Sequence, residues 1–164
     1  VSPIDDPMPG ANFRTDSFPA LAVDPRPGRR NLYVSWADRL GGVGRVVLAR
    51  STDGGRTWSA PAVLSTPGEG YVFETAVAVA PTGRVDLGFQ ALRLQPGGDP
   101  ATFGTGNASI DAWYVSSADG SSWSVPVRVS SVSSDPAASA QNNLARQFWG
   151  DYDSLASDAT TAWF

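Results

Sequence analysis

The stretch Ser51-Thr52-Asp53-Gly54-Gly55-Arg56-Thr57-Trp58 recurs, shortened by one residue, as Ser117-Ala118-Asp119-Gly120-Ser121-Ser122-Trp123. Each copy sits between runs that read as strands: Arg45 to Arg50 and Ala60 to Leu64 around the first, Ile110 to Val115 and Val125 to Val129 around the second. A short carboxylate that accepts bonds from nearby backbone N–H groups, next to a glycine that tolerates φ > 0, makes a tight turn. Both copies are therefore expected at hairpin tips, with Trp58 and Trp123 packed across the hairpins and largely buried.

The pattern S-x-D-x-G-x-T-W resembles the Asp-box, or BNR repeat, of sialidase-like β-propellers, and the first copy fits it at every defined position. The resemblance implies an all-β, sialidase-type β-propeller in which the Asp-box closes the turn between a blade's third and fourth strands, on the face opposite the ligand site. It assigns Ser51, Asp53, Gly55, Trp58, Ser117, Asp119, Gly120 and Trp123 a structural role. It also implies an extracellular or cell-surface location.

Composition narrows the chemistry. A chain of 164 residues, 41% hydrophobic and 17% charged, is long enough to bury a core and too apolar to stay disordered. Seventeen Gly and 13 Pro suit many short strands joined by turns, and no helical stretch stands out. Without Cys or His, the chain has no thiol nucleophile, Ser-His-Asp triad, histidine base or Cys/His zinc site. No metal site or cofactor is expected. All 12 basic residues are arginine, which reads first as the signature of a GC-rich genome, and a net charge of −4 argues against nucleic-acid binding. No run approaches the ~20 apolar residues of a membrane span.

Three blade-like openings follow one another: Phe18 to Asp24, Phe73 to Val79 and Asp151 to Asp158, each leading through a turn into a second strand. Those second strands are Asn31 to Trp36, Arg84 to Phe89 and Thr160 to Phe164. Val23 and Val79 are 56 residues apart but Asp53 and Asp119 are 66 apart, a difference placed between the second and third strands: Leu40 to Gly44 in one repeat, Gln95 to Ser109 in the next. About two and a half four-stranded blades result, blade one over 18–65, blade two over 73–130 and the start of blade three over 151–164. Propellers close with about 4–8 blades, so further propeller blades are expected as partners. A compact β domain of similar size is the alternative.

In a blade, the connection between second and third strands shares a face with the link to the next blade. That face carries the ligand-binding candidates Arg39, Glu74, Arg93, Trp149, Asp151 and Tyr152, with Tyr71 and Arg146 nearby. Two arginines near the ends of equivalent strands suit a carboxylate, gripped by fork-like hydrogen bonds; surface ion pairs near Asp38 and Asp99 are the plainer alternative. The run Phe148 to Asp153 has the aromatic and carboxylate density of a sugar site.

Set beside a sialidase, the candidates change weight. The resemblance implies an arginine in a Tyr/Phe-Arg-Ile-Pro opening, yet Asp16-Ser17-Phe18-Pro19 holds Ser17 at that place, and Arg14 lies three residues too early. It also implies an acidic acid/base beyond the second strand, yet Leu40-Gly41-Gly42-Val43-Gly44 has no carboxylate. The expected function is a glycan- or protein-recognition module facing a glycan or other cell-surface ligand. The alternative is a sialidase-type exo-glycosidase whose catalytic residues lie mainly in other blades. Fold alone does not choose between them.

Overall fold

The computed structural model describes residues 15, 18–65, 70–96, 107–138, 149–150 and 152–164. These residues form two antiparallel four-stranded sheets and a two-stranded one. Sheet one runs β1 (Ala20–Val23), β2 (Leu32–Leu40), β3 (Val43–Ser51) and β4 (Ala62–Val63) in that spatial order. Sheet two repeats it with β5 (Tyr71–Val79), β6 (Val85–Leu94), β7 (Ala108–Ser117) and β8 (Val127–Arg128). A 3-10 turn over Pro136–Ala138 precedes the last pair, β9 (Ala156–Ser157) and β10 (Ala162–Trp163).

The second and third strands of each sheet are longer than their apolar runs suggest. β2 continues to Leu40 and turns back through Gly41 and Gly42, at φ 63° and 83°, directly into Val43. Two successive left-handed positions suit a two-residue hairpin whose twist follows the strands, and glycine takes them without strain. The fourth strands are shorter than their sequence runs, two residues each, because Pro61 and Pro126 have no N–H to place in the ladder. The contact resumes on either side: Ser59 N–H donates to Arg50 O at 2.8 Å and Leu64 N–H to Val46 O at 2.9 Å.

Side-chain alternation then sorts the faces. Val85, Leu87, Phe89 and Ala91 on β6 join Val72, Val77 and Val115 against Ala22, Tyr33, Val46, Leu48 and Leu64 of sheet one, forming the main core. The intervening residues look the other way. There Leu92 packs with Phe73, Ala108 and Ile110, Gly88 lies under Phe164, and the Gln90 amide reaches Asp153. Sheet two is thus covered on both faces, which is why β6 is buried from Val85 to Leu92 apart from Gln90.

Two arginine staples join neighbouring sheets at the end that carries the turns between first and second strands. Arg26 grips Asp24 through Nε and Nη2 at 2.9 and 2.7 Å and donates through Nη1 to Thr82 O, at 3.2 Å in the next sheet. Arg84 grips the fully buried Asp86 at 2.7 and 3.0 Å and donates to Ala159 O and Asp158 O, at 3.2 and 3.4 Å in the β9–β10 turn. The Tyr114 hydroxyl donates to the same Asp86 carboxylate.

The repeated tryptophans part company. Trp123 packs against the main core, above Leu48 and Ala62 of sheet one. Trp58 remains 43% exposed, contrary to the expectation that both are buried. Each indole needs a neighbouring sheet to cover it, and among the described residues none lies beyond sheet one on that side.

Trp123→Ala should therefore cost about 3 kcal/mol, the low end for a large aromatic truncation. Trp58→Ala should cost under about 1 kcal/mol, as a surface change does; equal losses in a urea melt would contradict these packing assignments. Arg84→Ala strips a buried carboxylate of its ion pair and should cost about 3 kcal/mol. Accelerated amide exchange in the β9–β10 turn should accompany it, because two carbonyl contacts go with the guanidinium.

Candidate functional site

At one end of the sheets, the two Ser-x-Asp turns are built alike. Ser51 Oγ donates to Asp53 Oδ1 at 2.8 Å and accepts from Gly55 N–H at 2.8 Å. Asp53 Oδ1 also takes the N–H groups of Arg56 and Thr57, both at 2.9 Å, while Thr57 Oγ1 donates to Oδ2 at 2.6 Å. In the second turn Ser117 Oγ donates to Asp119 at 3.1 Å and accepts from Gly120 N–H at 2.8 Å, and Asp119 Oδ1 takes the N–H groups of Ser121 and Ser122 at 2.7 and 2.8 Å. The carboxylates are spent on backbone. Arg50 ties the turns together by donating to Asp119 O and Ser121 Oγ, and Gly120 is packed so closely on Tyr33 that a Cβ there would meet the ring at 2.6 Å.

These bonds hold the carboxyls down. The Thr57 hydroxyl and N–H keep Asp53 well below the usual carboxylate range, and the Ser122 and Ser121 N–H groups lower Asp119. Arg26 holds Asp24 down in the same way. At Asp111 burial pushes upward, but the hydroxyls of Ser130 and Ser133 together with Arg128 outweigh it.

The other end carries the ligand candidates. Arg39 and Arg93 are not equivalent by register: Leu32 pairs with Ser51 as Val85 pairs with Ser117, so Arg39 corresponds to Leu92 and Arg93 to Leu40. A shift of one residue moves a side chain to the opposite face. Arg39 therefore shares the face of Tyr33, which looks at sheet two, and Arg93 shares the face of Phe89, which looks at sheet one. The offset brings both arginines to the same seam. Arg39 is half-buried, whereas Arg93 is exposed and lays its guanidinium over the Trp113 ring, 5.0 Å from the centroid. Asp99, its alternative partner, lies outside the described residues.

Glu74 is half-buried on a β-bulge, an extra residue between the pairs Phe73–Gln90 and Thr75–Phe89, at φ 45°. Positive φ is uncommon for a side-chain-bearing residue, and bulges gather where strands re-aim a side chain. Next to it, the Thr75 and Ser35 hydroxyls meet across the seam at 3.2 Å. Trp149 packs with Tyr71 and Leu94 on the cluster of Phe73, Leu92, Ala108 and Ile110, so its ring is engaged in packing. Tyr152 is 82% exposed, its ring centroid 6.0 Å from that of Phe18. Asp151, Ser17, Arg14 and Arg146 lie outside the described residues. Among the described residues, no group of three or more His, Cys, Asp or Glu is placed to hold a metal.

Sequence reasoning passed over Asp153. Its carboxyl accepts from Gln90 Nε2 at 3.0 Å, and burial pushes it above the usual carboxylate range. The acidic, aromatic run around it was visible, but the amide partner 63 residues away was not.

No protein-family model matches the sequence, and no curated protein matches it. Among solved structures, the chain is similar to the Hadza microbial sialidase Hz136, with a TM-score of 0.54 and 20% identity over 68% of this chain. The match covers 25% of that sialidase, so the chain spans about a quarter of its length. At this identity the likeness shows the fold: a sialidase-like arrangement of antiparallel sheets.

The pH dependence of stability should follow the turn carboxylates. Their pKa values are depressed on folding, so their contribution is complete above the ordinary aspartate value of 3.8 and is lost as pH falls through the lower folded values. Asp53→Asn should flatten the acid limb of a stability–pH curve below about pH 4. An unchanged limb would show that the turn carboxylate is not linked to folding.

Proposed function

We propose that the chain is part of an Asp-box β-propeller of the sialidase type, acting as an extracellular recognition module for a glycan or glycan-bearing protein. The observation that carries recognition over hydrolysis is the Gly41-Gly42 turn. Where the family resemblance leads one to expect an acid/base carboxylate, the hairpin reverses in two residues without side chains. General acid catalysis needs a positioned carboxyl within reach of the leaving oxygen, and this turn offers none.

Binding is assigned to the seam between the two sheets, where Arg39 and Arg93 stand on facing sides and Glu74 sits on the adjacent bulge. Two guanidinium groups suit an acidic sugar or a carboxylate-bearing ligand, and Trp113 beneath Arg93 fixes that side chain's position. Sialidase-type hydrolysis remains the second reading, supported by the fold likeness to Hz136, with its catalytic groups supplied by other blades.

The test pairs a glycan-binding screen with a fluorogenic sialoside assay on the purified chain. Binding to acidic glycans is expected without turnover, and Arg39→Ala and Arg93→Ala should each weaken it about ten-fold, ~1.4 kcal/mol. Turnover that disappears in Arg39→Ala would replace the recognition reading with the hydrolytic one. Unaltered binding in both variants would move the ligand away from this seam.

A further inference from the structure

We propose that Phe18 and Tyr152 form an aromatic subsite that stacks on the C–H face of a neutral pyranose. The subsite deepens the glycan reading above and rests on it: the acidic sugar at the arginine seam is one residue of the ligand, and the neutral ring is its neighbour.

The internal repeat locates the subsite. The N–H groups of Asp24, Ala80 and Asp158 donate to Asn31 O, Arg84 O and Thr161 O at 3.0, 2.8 and 2.9 Å, closing the turn between first and second strands in each repeat. Counted back equally from these residues, the entrance to the first strand is Phe18 in sheet one, Glu74 in sheet two and Tyr152 ahead of β9. These entrances lie at the end that carries Arg39 and Arg93, away from the Ser-x-Asp turns. β5 lies against β1 on one side and against β9 on the other. The order across the sheets is therefore aromatic, carboxylate, aromatic. Both aromatics stand ahead of the paired strands, where the pleat no longer turns equivalent side chains the same way. Their rings meet, with centroids 6.0 Å apart and planes at 46°.

Exposure and charge point to a sugar. At that separation and tilt neither ring covers the other, and Phe18 and Tyr152 stay 53% and 82% exposed, outside both apolar clusters. A pyranose offers C–H groups on one face for the rings and hydroxyls at its rim for a carboxylate such as Glu74. An apolar peptide or acyl chain would instead desolvate that carboxylate without bonding to it. The rings are also held in advance. Pro19 confines Phe18 to extended backbone, and Asp153, next to Tyr152, is tied to Gln90 Nε2 at 3.0 Å. A stacking surface fixed before the ligand arrives loses little side-chain freedom on binding.

The probe is methyl β-galactopyranoside, whose ring hydrogens on C3, C4 and C5 share one face. It is titrated into chain carrying isotope-labelled Phe and Tyr rings. Saturable shifts are expected at Phe18 and Tyr152, with saturation transferred more strongly to that face of the sugar than to its methoxy group. Tyr152→Ala and Phe18→Ala should each weaken binding about ten-fold, whereas Tyr152→Phe, which keeps the ring, should stay within about two-fold. Val125→Ala, at an exposed position beside the second Ser-x-Asp turn, should change nothing. The two aromatics lie outside the core, so both alanine variants should fold, which circular dichroism checks. Absence of saturable ring shifts, or alanine variants that bind as tightly as the parent, would overturn the proposal. So would self-association that shifts the rings and is not displaced by the galactoside. Methyl glucuronide, an acidic pyranoside, is titrated in parallel and reads the seam through the Arg39 and Arg93 side-chain N–H signals. Glucuronide binding there without ring shifts from the galactoside overturns the aromatic subsite alone. Ring shifts from the galactoside without glucuronide binding at the seam support the subsite and overturn the arginine assignment.

Discussion

A β-sheet with two apolar faces cannot stand alone in water, and sheet two is built that way. Its β6 strand sends Leu87 and Phe89 into the seam with sheet one, and Leu92 into a cluster on the opposite side. Both faces need cover. The rest of the molecule follows from that demand: sheet one covers one face, while Trp149 and the β9–β10 hairpin cover part of the other.

Apolar contact is non-directional, so it does not by itself fix how one sheet lies on the next. Polar groups at the seam supply the direction. Arg26 follows its partner Asp24 within the turn that joins β1 and β2, whereas Arg84 precedes Asp86 at the start of β6, yet each guanidinium spans to a backbone carbonyl of the following sheet. The same job is done from opposite ends of a turn. That difference shows that the reach across the seam is reproduced while the sequence spacing is not. Arg50 adds a third tie, from the face of sheet one to the turn at the tip of sheet two.

Local rules made much of the architecture legible. The two Ser-x-Asp turns and the strands around them were readable, because turn chemistry and period-two alternation act over a few residues, although β7 already begins at Ala108, inside the expected connection from Gln95 to Ser109. What lay across a seam was not. Trp58 and Trp123 occupy the same place in the same motif, and only the sheet beneath Trp123 makes their burial different. Arg39 and Arg93 looked equivalent because each lies a few residues past an aromatic; the pairing register shows them one step apart. The Glu74 bulge had no marker, since neither glycine nor proline announces the positive φ there.

The one-residue offset of the two arginines also bears on how such a surface gains function. Repeated sheets place equivalent residues of their paired strands on faces that point the same way around the stack, so two such positions never meet. Residues from adjacent sheets converge only if they occupy opposite phases of the pleat. Arg39 and Arg93 satisfy that condition, and Trp113 holds one of them in place at 5.0 Å from the ring centroid. The turn end lacks this freedom, because Asp53 and Asp119 are committed to their own N–H groups. In both sheets the turn end is therefore occupied by the contacts that close it. At the opposite end a displacement of one residue between the two sheets brings Arg39 and Arg93 to one seam, the surface proposed above for ligand binding.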